Sequence, residues 1–142
     1  MEFRTHKRPI KHIIIIPLMW LMFIPFLIFD LSILIYQQTV FRILKIELVK
    51  RSEYVRIDRH RIKSLNIIHK VNCVYCGYAN GLLQFIVEIV ARTEKYWCGI
   101  QHEKVKGFKA PKHHETFSKY NDKKDLDKKY PSYKQIKKQN KK

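Results

Sequence analysis

Cys73 and Cys76 stand at C-x-x-C spacing in the stretch VNCVYCGYANG and are followed by Gly77. Two thiolates so placed are half of a tetrahedral metal site. Backbone N–H groups after the first sulfur can hydrogen-bond to it, and a glycine relieves crowding. Cys98 and His102, from CGIQH, would complete a Cys3His set, a common ligand set for structural zinc, with iron as the alternative ion. Two partial substitutes exist. His69, Cys73 and Cys76 fall at i, i+4 and i+7 on one helical face, and His113 and His114 of KHH could join Cys98 and His102. Two metal-free readings stand beside these. A reversible Cys73–Cys76 dithiol would make the chain a thiol redox or electron-transfer protein, though no thioredoxin-like β-α-β context surrounds it. Gly77 and Gly81 form a G-x-x-x-G pair, whose lack of side chains lets another helix approach closely, and buried cysteine then serves as a small hydrophobe.

The elements that must position these groups read as helical. Projected at about 100° per residue, residues 64–97 separate into two faces. Val71, Tyr75, Tyr78, Leu82, Phe85, Ile86, Ile89, Thr93 and Tyr96 share one face; Cys73, Cys76, Gly77, Asn80, Gln84, Glu88 and Ala91 share the other. The phase does not slip across the cysteines, and Asp58 is a candidate cap upstream. Two glycines and an Asn-Gly dipeptide argue the other way. The expectation is therefore one long helix, or one helix to about Lys70 and another from Gly81 to Trp97. Geometry weighs against the shared Cys3His site. A helix from Leu82 to Trp97 is about 24 Å long, whereas the connector Gly77–Gly81 reaches about 16–18 Å. The CxxCGY half remains similar to that of rubredoxin-type sites.

Residues 13–36 read IIIIPLMWLMFIPFLIFDLSILIY, in which only Pro17, Pro25, Asp30 and Ser32 are not apolar. As helix they would cover about 36 Å, enough for a hydrocarbon core of about 30 Å. Both flanks are basic: Arg4, Lys7, Arg8 and Lys11 precede the run, and Arg42, Lys45, Lys50 and Arg51 follow it. The heavier flank favours a cytoplasmic C-terminal side. Because one span cannot place both flanks there, a re-entrant hairpin turning at Pro25 is the alternative. Asp30 would need a partner or water at such depth.

The remainder divides by composition. Residues 1–12 are a basic arm, and 37–63 a basic amphipathic segment whose Arg42, Lys45, Lys50, Arg51 and Arg56 suit anionic lipid headgroups. Residues 64–102 are the helical Cys/His region. Residues 103–142 hold fourteen lysines, no arginine and five acids, the composition of a largely disordered tail. A formal net charge of +17 also suits nucleic acid, but no helix-turn-helix, RNA-recognition or zinc-finger pattern accompanies it. An odd count of three cysteines fits a reduced compartment better than a disulfide scaffold. Glu88, Arg92, Glu94, Asp58 and Arg59 form no recognised acid–base, nucleophile or phosphate motif, so an enzyme is not the leading expectation.

The runs NCVYCGYANG and RTEKYWCGIQH together resemble an uncharacterised family of small bacterial membrane-associated proteins carrying NCxYCxYANG and RTExYWCxIxH. The similarity extends from about Pro17 through APKHHETF. It implies that Asn72, Tyr78, Asn80, Arg92, Thr93, Glu94, Trp97, Cys98 and His102 matter, and it implies no activity. The reading is thus a mainly α protein: an N-terminal membrane helix, a basic segment, one long or two shorter helices and a lysine-rich tail. Its expected role is a membrane-anchored binding or scaffold module with a structural zinc site. The alternatives are a metal-free packing module that binds anionic membrane, a protein partner or its own copy, and a membrane-linked redox protein.

Overall fold

The computed structural model of the protein describes residues 9–131, with side chains from residue 14 onward. Arg4, Lys7 and Arg8 of the basic arm, and the lysines after residue 131, lie outside the described residues. Two compact units divide the chain at residues 89 and 90.

In the first unit, helix α1 (Pro9–Leu21) and helix α2 (Phe23–Tyr36) carry the apolar run. Met22 between them keeps helical dihedrals (φ −66°, ψ −13°), and the Phe26 N–H still donates to the Met22 carbonyl at 3.3 Å. Pro25 falls in the first turn of α2, where its missing N–H costs little. The run therefore does not turn back at Pro25, as a re-entrant hairpin requires. It continues through a π-helical turn, Gln37–Phe41, and a short helix, Arg42–Leu44. Within the widened turn Thr39 Oγ1 donates back to the Ile35 carbonyl at 2.8 Å. Lys45, in the left-handed region at φ 56°, ends the helix.

Helix α3 (Ile67–Trp97) is a single helix of 31 residues, so the chain runs straight through Gly77 and Gly81. Its cap is Asn66, whose Oδ1 accepts from the His69 N–H at 2.9 Å; Asp58 does not serve. Tyr75, Tyr78, Leu82, Phe85 and Ile89 are buried, the helical stripe that the periodicity predicts. Leu82, Phe85 and Ile89 are wholly enclosed and cluster with Phe41 and Val49. Lower down, Trp20 packs on Tyr75 (5.3 Å between ring centroids) and Phe23 on Tyr78 (5.6 Å). These pairings advance in the same direction along both helices, so α1–α2 and the first part of α3 run parallel.

Parallel neighbours need a returning connection, and residues 45–66 supply it. Within the basic amphipathic segment, these residues form no continuous helix. They make an irregular strap with two 3-10 turns, Arg51–Glu53 and Arg59–Arg61. Buried Gln37 clamps it: Nε2 donates to the Val49 carbonyl and Oε1 accepts the Val49 N–H, both at 3.2 Å. The strap then crosses the glycines of α3. A Cβ at Gly81 would lie 2.6 Å from the Tyr54 carbonyl oxygen, and one at Gly77 would lie 3.2 Å from that of Arg56. Thus the G-x-x-x-G pair does permit close approach, but to irregular main chain rather than to another helix.

Asp30 finds the partner its position demands. Its Oδ2 accepts from Arg51 at 2.5 Å and from the Tyr78 hydroxyl at 2.9 Å. Among the described residues, Asp30 Oδ1 and Arg51 Nε are buried with no hydrogen-bond partner.

In the second unit the chain after α3 turns at Gly99, in the left-handed region at φ 60°. The Cys98 and Gly99 N–H groups both donate to the Glu94 carbonyl, which closes the helix end. Ile100 and Ser118 form an isolated parallel bridge. Lys112–Thr116 is a 3-10 helix, and helix α4 (Lys123–Lys129) is capped by Asp122, which accepts from the Asp125 N–H at 3.0 Å. The lysine-rich stretch thus holds more structure than its composition suggests, as far as residue 131. No β-strand is formed among the described residues.

Candidate metal centre

Four predicted ligands fall apart on the unbroken helix. From Cys76 to Cys98 the chain rises about 33 Å along α3 at about 1.5 Å per residue. Cys73, Cys76, Cys98 and His102 therefore do not form one site. All three cysteines are free; Cys73 and Cys76 are half-buried, and Cys98 is exposed. His69 is engaged with the cap, its Nδ1 lying 2.5 Å from Asn66 Oδ1.

A different set converges within the second unit. One ligand atom each from Glu94, His102 and His114 lies within 4.8 Å of the others. Glu94 comes from the last turn of α3. The turn at Gly99 brings His102 back towards it, and the 3-10 helix Lys112–Thr116 presents His113 and His114. The frame beneath is hydrogen-bonded main chain. Ser118 N–H donates to the Gly99 carbonyl and Gln101 N–H to that of Ser118, both at 2.8 Å. Gln101 Nε2 donates to the His114 carbonyl at 2.9 Å, which ties the second histidine segment to the first. Phe117, 1 % exposed, stacks against the His114 ring at 4.9 Å. Gly99 is pinned in turn by the Tyr130 ring, which a Cβ there would meet at 2.5 Å.

The Glu94 carboxylate is set against two imidazoles, those of His113 and His114. His114 is 3 % exposed, and its Nε2 lies 3.0 Å from Glu94 Oε1 without hydrogen-bond alignment. Both His114 ring nitrogens are buried with no hydrogen-bond partner among the described residues, a state that costs about 1–3 kcal/mol if left so. His113 Nε2 meets the other carboxylate oxygen, Oε2, at 2.8 Å. That bond is the main reason the Glu94 carboxyl sits below the usual range; burial opposes it, and His114 adds to it. Metal–ligand bonds of about 2.0–2.1 Å in a tetrahedron put neighbouring donor atoms about 3.3 Å apart. The Glu94–His114 separation of 3.0 Å is near that already, and His102, exposed, lies within 4.8 Å of both. One glutamate and two histidines are a zinc ligand set of known chemistry, and His113 stands as the outer partner that fixes the carboxylate.

The sequence names three of these four residues, His102, His113 and His114, but attaches them to cysteine. Glu94 is the residue it misses as a ligand. Its signal lay in RTEKYWCGIQH, where Glu94 and His102 flank the helix end. The lipid-binding set also divides. Arg42, Lys45 and Lys50 are exposed, Arg56 is exposed beside Asp58 at 3.2 Å, and Arg51 is committed to Asp30.

Among the described residues, two helices are long and apolar enough to cross a membrane, Ile14–Leu44 and Ile67–Trp97. None of the most apolar stretch of the first is buried, against 39 % for the second. No family model matches the chain, and neither curated proteins nor solved structures give a significant match.

Proposed function

We propose that this chain is a membrane-anchored binding module that holds a divalent metal ion, zinc by its ligand chemistry, on Glu94, His102 and His114. The observation that carries the metal is the His114 ring, buried with no aligned hydrogen bond at either nitrogen and with Nε2 held 3.0 Å from a carboxylate oxygen. A bound cation would satisfy that nitrogen and neutralise Glu94 together.

What supports the anchor is the apolar surface of the first helix. Ile14, Leu18, Leu21, Ile24, Ile28 and Leu31 are each more than half exposed. What argues against α3 as a second span is its parallel course beside α1–α2. Two parallel spans would draw the strap between them through hydrocarbon, and the strap carries Lys50, Arg51, Glu53, Arg56, Asp58 and Arg59. Each such charge costs about 2.5–3.5 kcal/mol at the bilayer centre. Arg51 reaches Asp30, so the lipid-embedded part lies on the N-terminal side of that pair. Arg42, Lys45 and Lys50 then face anionic headgroups, and the C-terminal region takes the cytoplasmic side under the positive-inside rule.

The test has two arms on the full chain without an affinity tag. Flotation with anionic liposomes should carry the protein to the lipid fraction, and Ile24→Arg/Ile28→Arg should leave more of it behind. Elemental analysis after equilibration with zinc should return about one ion per chain, lost in His114→Ala and kept in the triple variant Cys73→Ala/Cys76→Ala/Cys98→Ala. Zinc lost with the cysteines and kept without His114 overturns the assignment.

A further inference from the structure

Beside the candidate ligand set lies a cavity of about 460 Å3, within the usual size range for small-molecule sites, whose wall does not include Glu94. His102 and His114 form part of its wall, so the cavity reaches the ligand set itself. With Glu94, His102 and His114 as ligands, a tetrahedral ion has one position left, and three protein ligands with a free fourth position are the mark of a site that takes an exogenous ligand. His113 is not placed to fill it, because its Nε2 is spent on Glu94 Oε2 at 2.8 Å.

The wall says what would enter. A divalent ion with one carboxylate ligand keeps a single positive charge. Around it the wall is balanced, with Lys104 and Lys112 set against Glu103 and Glu115. The site therefore suits a monoanion and disfavours a dianionic phosphate. Apart from Gln101, whose Nε2 is engaged with the His114 carbonyl, the remaining lining is apolar: Val105, Phe108, Ala110 and Pro111. Phe108 also packs its ring edge-on against His102 at 5.4 Å, so the apolar wall begins next to the ligand. Resting on the metal reading above, we infer that the centre binds a small carboxylic acid with an apolar body, its carboxylate on the free metal position and its body against Phe108 and Val105.

Cobalt(II) tests this without any assumed activity. Co2+-loaded full-length protein should show visible d–d bands of a tetrahedral ion, absent in His114→Ala. Titration with 3-phenylpropionate should shift those bands, and acetate should shift them with an affinity at least about tenfold weaker, a difference of about 1.4 kcal/mol. Phe108→Ala should narrow that difference while the bands of the acid-free protein stay. A second variant, Val105→Ala, should do the same to a smaller degree, which separates lost apolar contact from a disturbed His102. Bands that neither acid moves leave the metal in place and overturn the open position. Equal affinity for both acids overturns the apolar body. Absence of bands at all overturns the metal reading and this inference with it.

Discussion

Replacing Gly81 by alanine separates helix propensity from tertiary packing in one substitution. The new Cβ would lie 2.6 Å from the Tyr54 carbonyl oxygen, 2.8 Å from Val55 Cα and 3.2 Å from the Tyr54 carbonyl carbon. All three are main-chain atoms, so no rotamer change relieves them. Tolerable contact begins near 3.4 Å, and the strap must withdraw by about 0.8 Å. The Val55 N–H bond to the Arg51 carbonyl at 2.9 Å ties residues 51–55 of the strap to one another, and Arg51 is tied in turn to Asp30. Overpacking of this kind costs about 1–3 kcal/mol. Alanine returns about 1 kcal/mol of helix propensity, so Gly81→Ala should lose up to about 2 kcal/mol overall. Gly77→Ala is the internal control. Its Cβ meets only the Arg56 carbonyl oxygen, at 3.2 Å, so a shift of a few tenths of an ångström suffices. Propensity then dominates, and the variant should gain up to about 1 kcal/mol. Urea unfolding in a mild detergent, followed by far-ultraviolet circular dichroism, should separate the two variants by about 1–3 kcal/mol. If both alanines stabilise α3 equally, the strap does not press on Gly81 and the reasoning fails.

Arg51→Met should lower stability by about 1–3 kcal/mol, because Asp30 would keep only the Tyr78 hydroxyl. The figure stays below that for a fully enclosed ion pair, since the Arg51 side chain is 39 % exposed. Adding Asp30→Asn should restore part of the loss in the same urea assay, and an additive double variant would deny the coupling. The triple cysteine-to-alanine variant should unfold within about 1.5 kcal/mol of the parent, since small hydrophobic exchanges on a half-buried face are tolerated; a collapse of the fold would restore the cysteines to a structural role. The Asp125 carboxyl sits below its usual range chiefly because it accepts the Lys119 N–H at 2.9 Å; burial opposes this, and Lys129 adds to it. A depressed carboxylate stabilises fully above its unfolded pKa of about 3.9 and loses that contribution as pH falls through the lower folded value. The Lys119 amide resonance should hold steady from neutral pH to about pH 4 and move below it; movement beginning near pH 6 would point to a histidine instead.

The stripe Tyr75, Tyr78, Leu82, Phe85 and Ile89 was legible in the sequence because helical periodicity reports burial on one face directly. The need of Asp30 for a partner was legible too, from the cost of a lone charge among apolar residues, but Arg51 and Tyr78 could not be named. Side-chain periodicity carries no record of which distant residue returns. The glycine pair shows the same limit. Gly77 and Gly81 announce that something comes close, and small residues cannot say whether it is a helix or a bare main chain. The Glu/His cluster was obscured by a different habit. C-x-x-C spacing is a local signal, and the continuous α3 that periodicity predicts already carries Cys98 beyond its reach. Glu94, His102 and His114 meet only because the chain reverses at Gly99 and again before the 3-10 helix, two turns with no spacing rule to betray them.

The notch on α3 grips peptide units, not side chains. Tyr54, Val55 and Arg56 meet Gly81 and Gly77 through a carbonyl, a Cα and a second carbonyl. The helix is therefore indifferent to what those strap residues display outward. Exchanging exposed Arg56 for lysine, glutamine or glutamate alters the charge the strap displays and leaves its seating untouched. Surface charge and architecture can be varied separately here, which makes the strap a place where charge can be rewritten on a fixed scaffold.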